Sequence, residues 1–138
     1  MSITATEKRK AIKRILGRYK MFKVMIENID DEIDYFDRLA GTPSHDDAVD
    51  RERLENHLHN LQYKRAELQT IIKQIDLSMK LLTDLEKESI ISKYVHRRSW
   101  QEIGAQLKYS GETCRQAAIV GLNKMADVLY LSDIDPSQ

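Results

Sequence analysis

The stretch whose reading decides the fold is Ser99-Trp100-Gln101-Glu102-Ile103-Gly104-Ala105-Gln106-Leu107-Lys108-Tyr109-Ser110-Gly111-Glu112-Thr113-Cys114-Arg115-Gln116-Ala117-Ala118. Ser99 with Glu102 three residues on is a capping box, in which each side chain accepts one of the N–H groups orphaned at a helix start. It opens a helix with Ile103 and Leu107 on its inner side. Ser110 caps the next helix, where Cys114, Ala118, Leu122 and Met125 recur at four- and three-residue steps and so share one face. Only Lys108, Tyr109 and Ser110 lie between the two, a link short enough to force a tight turn. Upstream, Leu85, Ile90, Ile91 and Tyr94 form the inner face of a support helix. Residues 82–131 therefore read as a domain of three short amphipathic helices, and residues 132–138 as a disordered tail.

Working outward, the preceding residues carry a different pattern. Ile12, Ile15, Tyr19, Phe22, Ile26, Ile29, Ile33, Phe36 and Ala40 follow one another at alternating three- and four-residue gaps. This is a narrow helical stripe of the kind buried against one other helix. Gly41 fits a left-handed helix C′ position, and Pro43 prevents continuation. Ser44 with Asp47 resembles a new helix start. Leu54, Leu58, Leu61, Arg65, Leu68, Ile72, Ile75, Met79 and Leu82 then repeat the spacing, with Arg65 the one misfit; it snorkels from the seam or finds an acidic partner. Residues 1–81 thus read as a long antiparallel hairpin of helices over about 5–40 and 45–81, a rod of about 45–50 Å at ~1.5 Å per residue.

Composition agrees with an all-α chain. Among 138 residues there are five Gly and two Pro, too few turn formers for a sheet protein. The single cysteine, Cys114, excludes an internal disulfide framework and a Cys-rich zinc site, and as a buried position it reads as a small hydrophobe. His57 and His59, two apart on a helix, do not face one another as metal ligands. No nucleophile with a base and no phosphate-cradling glycine loop is present, so neither enzyme activity nor a cofactor is expected. No apolar run approaches a membrane span, and the chain reads as cytoplasmic.

The charges sum to zero, but they are not evenly spread. Residues 1–23 hold eight basic side chains against Glu7 alone, a local charge of +7; residues 24–40 carry −5, and residues 89–124 carry +4. Two basic regions flank an acidic one, and in an antiparallel hairpin the first basic region lies at the root, near the C-terminal domain. Such a distribution suits a partner rich in phosphate.

Segment 82–125 resembles sigma factor region 4, the helix-turn-helix that reads an upstream promoter element. The family's aromatic-Xaa-Glu-Ile-(Gly/Ala) helix is matched by Trp100, Glu102, Ile103 and Gly104. Its Glu-Xaa-(Ile/Val)-Arg-Gln core is echoed by Glu112, Thr113, Cys114, Arg115 and Gln116, and its close by Leu122, Lys124 and Met125. Gly111 departs from the pattern, where a basic residue is common, and the sigma regions that melt promoters are absent. A basic helical front joined to such a module is similar to the late-gene transcription activators of phages of Gram-positive bacteria, the RinA, ArpU and LtrC kind. The resemblance implies a sequence-specific regulator that binds double-stranded DNA near a promoter with RNA polymerase, in the bacterial host cytoplasm if phage-encoded.

In a helix-turn-helix the start of the second helix of the motif meets base edges in the major groove. Glu112, Thr113, Arg115 and Gln116 are the polar side chains there, and arginine pairs with guanine, glutamine with adenine and glutamate with the cytosine amine. Arg97, Arg98, Gln101 and Lys108, with Lys10 and Arg14 from the basic front, are candidates for phosphate contacts, which position without reading sequence. Leu16, Met25, Leu39 and Ile71 lie beside the stripes and suggest a homodimer through the hairpin. Two other functions fit the pattern. One is a DNA-packaging adaptor like the small terminase subunits, which usually carry the DNA-binding part first. The other is a helical interaction protein that reads no DNA.

Overall fold

The computed structural model describes residues 4–41 and 48–129, and among these every regular element is helical, with no strand. In order they are α1 (Ala5–Gly17), α2 (Tyr19–Ala40), α3 (Ala48–Met79), α4 (Asp84–Ile90), a π-helical turn (Ile91–Val95), α5 (Trp100–Leu107) and α6 (Gly111–Val128). No described helix is long and apolar enough to cross a membrane. The expected helix start at Ser44 and Asp47 and the expected disordered tail at 132–138 lie outside the described residues.

Three helices start on capping boxes: Thr4 with Glu7, Thr83 with Glu86, and Ser99 with Glu102. Ser110 caps α6, its hydroxyl accepting from the Thr113 N–H at 3.0 Å. Each cap satisfies N–H groups that would otherwise be orphaned, and such a cap stabilises a helix by about 1 kcal/mol. The support helix is shorter than its apolar spacing suggests. After Ile90 the backbone widens, the His96 N–H reaching back five residues to the Ile91 carbonyl at 3.0 Å. The Arg98 backbone N–H donates to the Ser92 carbonyl at 3.0 Å.

The chain forms two compact units, residues 1–20 with 71–138, and residues 21–70. This division differs from a boundary at 81/82. The first helix is interrupted at Arg18, whose N–H turns back to the Ile15 carbonyl at 2.9 Å. The reason lies in the width of the apolar face. Ala11, Ile12, Ile15 and Leu16 are all buried, a broad face suited to a globular core, whereas the stripe beyond residue 20 is one side chain wide. α1 accordingly packs on α6 and the π-helical turn.

In the first unit Ile12, Leu16, Ile75, Ile90, Ile103, Cys114, Leu122 and Met125 form a core with no more than 1% exposure each. Cys114, Ala118, Leu122 and Met125 face inward, as their spacing predicts. α4 and α6 approach so closely at Gly121 that a Cβ there would lie 2.6 Å from Ile90 Cδ1. Glu86, 8% exposed, accepts from Lys124 Nζ at 2.7 Å and from the Thr83 N–H at 3.1 Å. Burial pushes its carboxyl up, but the bonds from Lys124 and Thr83 outweigh that and hold it below the ordinary value. Tyr19 donates to Asp76 Oδ1 at 2.6 Å; burial first, and then this bond to a carboxylate, push its hydroxyl far up.

In the second unit Phe22, Ile29 and Leu68 are buried, and Ile26, Ile33 and Phe36 are half-buried with Leu54, Leu58 and Leu61. Asp30 faces Arg65, and Phe36 packs edge-on to His57 with ring centroids 4.6 Å apart. Partners that ascend along α2 descend along α3, so the two helices run antiparallel. Arg65 is therefore an ion-paired seam residue, its guanidinium shared between Asp30 and Gln69. Two expectations fail. Gly41 does not adopt a positive φ, because its N–H simply closes the helix on the Asp37 carbonyl at 3.2 Å. Leu16 and Ile71, expected beside the stripes as a dimer surface, are 0% and 3% exposed and belong to the core.

Candidate nucleic-acid interface

α5 and α6 meet through the three-residue link at Lys108, Tyr109 and Ser110. Lys108 takes the left-handed conformation (φ 64°), which ends α5, with the Tyr109 N–H returning to the Gly104 carbonyl at 3.0 Å. Gly104 makes the turn possible. A Cβ there would stand 2.6 Å from the Tyr109 carbonyl oxygen and 2.8 Å from the Gly111 nitrogen, both backbone atoms that cannot swing aside. The missing side chain thus sets how closely the start of α6 lies against α5.

The first turn of α6 projects its polar residues into solvent. Glu112 and Arg115 have side chains 63% and 44% exposed, and Thr113 and Gln116 are exposed too. The four are not independent. Arg115 donates from Nε and Nη2 to the two Glu112 oxygens at 2.9 and 2.7 Å, and Gln116 Nε2 donates to Glu112 Oε1 at 2.9 Å. Thr113 and Ser110 share a hydroxyl contact of 2.7 Å. The Arg115 guanidinium and the Gln116 amide hold the Glu112 carboxylate at about 2. The network still leaves hydrogen-bonding capacity outward. Arg115 keeps an Nη1–Nη2 pair of donors, and Gln116 keeps one N–H beside its carbonyl oxygen. Glu112, accepting three bonds already, has the least left to offer.

The candidate phosphate residues fall into three groups. Arg97 and Arg98 follow the π-helical turn. Arg97 is left-handed (φ 57°) and sends Nη2 to the Gly17 carbonyl at 3.4 Å, while Arg98 donates to Gln106 Oε1. Gln101 and Lys108 are exposed at the two ends of α5, and Lys10 and Arg14 are exposed one turn apart on α1. All six belong to the same compact unit as α6. α1 is fixed to the far end of α6, Lys8 Nζ donating to the Ala126 carbonyl at 2.7 Å and Arg9 to Asn123 at 2.9 Å.

The electrostatics of the units differ in sign. Residues 1–20 with 71–138 hold sixteen Lys and Arg against ten Asp and Glu, a net of +6, and residues 21–70 hold six against twelve, a net of −6. His96 registers the local field. Burial, followed by the charges of Lys20 and Arg98, pushes its imidazole down, and Glu88 only partly opposes them. Among the described residues no group of three or more His, Cys, Asp or Glu could hold a metal ion.

Lys13 and Lys93 were not among the candidate contact residues of the sequence. Lys13 Nζ lies 5.5 Å from the centre of the Tyr94 ring and Lys93 Nζ lies 5.0 Å from that of Trp100, the two rings meeting edge-on at 6.4 Å. Lys93 and Tyr94 are neighbours in the chain and Trp100 follows six residues later, which was the available signal; that Lys13 joins them follows from the packing of α1. Compared with protein-family models, with curated proteins and with solved structures, the chain matches none.

Proposed function

We propose that this chain is a sequence-specific DNA-binding transcription regulator in which α5 and α6 form a helix-turn-helix of the sigma region 4 type. The observation that carries the reading is the first turn of α6, where Glu112, Thr113, Arg115 and Gln116 stand exposed on a unit of net charge +6. Arg115 and Gln116 read base edges, Arg115 a guanine and Gln116 an adenine, because their remaining donors and acceptors match those bases. Glu112 orients both. Arg97, Arg98, Gln101, Lys108, Lys10 and Arg14 supply phosphate contacts that fix the register. Acting at a promoter with RNA polymerase, as a phage late-gene activator, is the biological role that fits such a module. A monomer whose second contact is the polymerase fits the burial of Leu16 and Ile71 better than a dimer through the hairpin. The order of the segments, with the helical hairpin before the helix-turn-helix, favours a regulator over a DNA-packaging adaptor.

Selection of binding sites from a random duplex library tests the reading. The wild-type chain enriches one motif. Arg115→Ala lowers affinity for it by about 1–3 kcal/mol and relaxes preference at one base pair. Recovery of the same motif, undiminished, with Arg115→Ala would remove Arg115 from the reading surface, and enrichment of no motif by the wild type would leave the interaction protein that reads no DNA.

A further inference from the structure

Beside the start of α6 the first unit carries a patch in which cations stand over aromatic faces. Lys13 comes from α1 and lies over Tyr94; Lys93 comes from the π-helical turn and lies over Trp100. Tyr94 and Trp100 are half-buried and meet edge-on. The start of α6 adjoins the patch: a Cβ on Gly111 would stand 3.0 Å from the Trp100 carbonyl oxygen. Among the described residues neither Lys13 nor Lys93 has a carboxylate within ion-pair distance, whereas Arg115 is paired with Glu112 and Lys124 with Glu86. A ring face attracts an ammonium but does not neutralise it. The rings therefore restrict the two long side chains while leaving their charge uncompensated.

We propose that Lys13 and Lys93, steadied over Tyr94 and Trp100, form a binding site for backbone phosphates of double-stranded DNA, joining α1 and the π-helical turn to the surface read by α6. The site rests on the DNA-binding reading above. It differs from the contacts named there in its residues and in its chemistry. The aromatic pair removes rotamer freedom before the ligand arrives, so less is lost when a phosphate is bound. It also explains the position of α1. The bonds from Lys8 and Arg9 to the end of α6 fix the helix so that Lys13, one turn further on, reaches Tyr94. The widened backbone at Ile91–Val95 presents Lys93 and Tyr94 on the same side of the turn as Trp100.

Trp100 is the only tryptophan in the chain, so the site has its own reporter. Full-length protein is titrated with a 20-base-pair duplex of the selected motif and with one of scrambled sequence, at several salt concentrations, following Trp100 emission and binding together. Both duplexes change the emission. Lys13→Gln and Lys93→Gln each flatten the dependence of log affinity on log salt by about 0.9, the value for one phosphate contact, and weaken both duplexes by the same factor. Lys93→Gln also removes most of the emission change, and Lys93→Arg, which keeps the charge over the ring, restores the slope. Circular dichroism of each variant must match the wild type; where Lys13→Gln alters it, Lys93→Gln with Lys93→Arg decides alone. Unchanged salt slopes in the glutamine variants, with Arg115→Ala still changing the selected motif, overturn the phosphate site and leave DNA reading intact. Absence of duplex binding by the wild type overturns both.

Discussion

Among single residues, Glu86 shows how one carboxylate can tie two helices together. Its carboxylate is nearly buried between α4 and α6 and is held there by Lys124 and the Thr83 cap. Because its folded value lies below the ordinary 4.5, the folded chain binds fewer protons at this site than the unfolded chain. Its stabilising contribution is therefore complete above about pH 4.5 and is lost as the pH falls through the lowered folded value. Lys124→Met should lower stability by about 1–2 kcal/mol at pH 7, modest because the lysine is 38% exposed, and should weaken the pH dependence of the melting temperature in acid. Melting curves between pH 3 and 7 measure both effects; a lysine variant that melts as the wild type does across that range would show the pair to be energetically idle. The Thr83–Glu86 and Thr4–Glu7 boxes, which the structure adds, share the spacing of Ser99 with Glu102, the one box read from the sequence. The bond from Lys124 was not, because it joins residues 38 apart through tertiary packing.

For the helices, what the sequence makes visible is what depends on near neighbours. The Ser99 and Ser110 caps, the inward face of α6 and the alternating stripes of α2 and α3 all follow from spacing, and all are present. The π-helical turn and the break at Arg18 were not legible. The apolar spacing runs through both without a skipped step, and each is decided by what packs against it. Gly104 lies between these cases: it belongs to the Trp100–Gly104 pattern read in the sequence, but its reason becomes clear only in the crossing of α5 with α6. Gly104→Ala should force the two helices apart, costing about 1–3 kcal/mol in stability, because a Cβ would meet backbone rather than a side-chain tip. The displaced α6 should also bind the selected duplex more weakly. Wild-type stability in chemical denaturation would show that the link relaxes without cost.

For the molecule as a whole, the division into residues 1–20 with 71–138 and residues 21–70 makes the second unit an insertion within the first. The bond of 2.6 Å between Tyr19 and Asp76 brings the two borders of the first unit near one another. Replacing residues 21–70 by a flexible linker of about eight Gly and Ser residues, which spans roughly 15 Å as a random coil, should leave the first unit folded and able to bind DNA. Helicity, a cooperative melt and duplex affinity are the measurements; loss of cooperative melting would show that the insertion is needed for the fold. Truncation to residues 82–138 is a different operation, since it strips Ile12, Leu16 and Ile75 from the core and should not yield a folded fragment.

The same division bears on how the protein behaves in a tube. With an isoelectric point near 6.9 the chain has almost no net charge at neutral pH, yet each copy carries one unit at +6 and another at −6. Copies in dilute buffer should therefore attract one another, and turbidity should be highest at low ionic strength. Added salt should clear it, since at 0.15 M charges separated by more than about 8 Å are screened. The protein should dissolve better in salt than in water, and its neutral average is the reason.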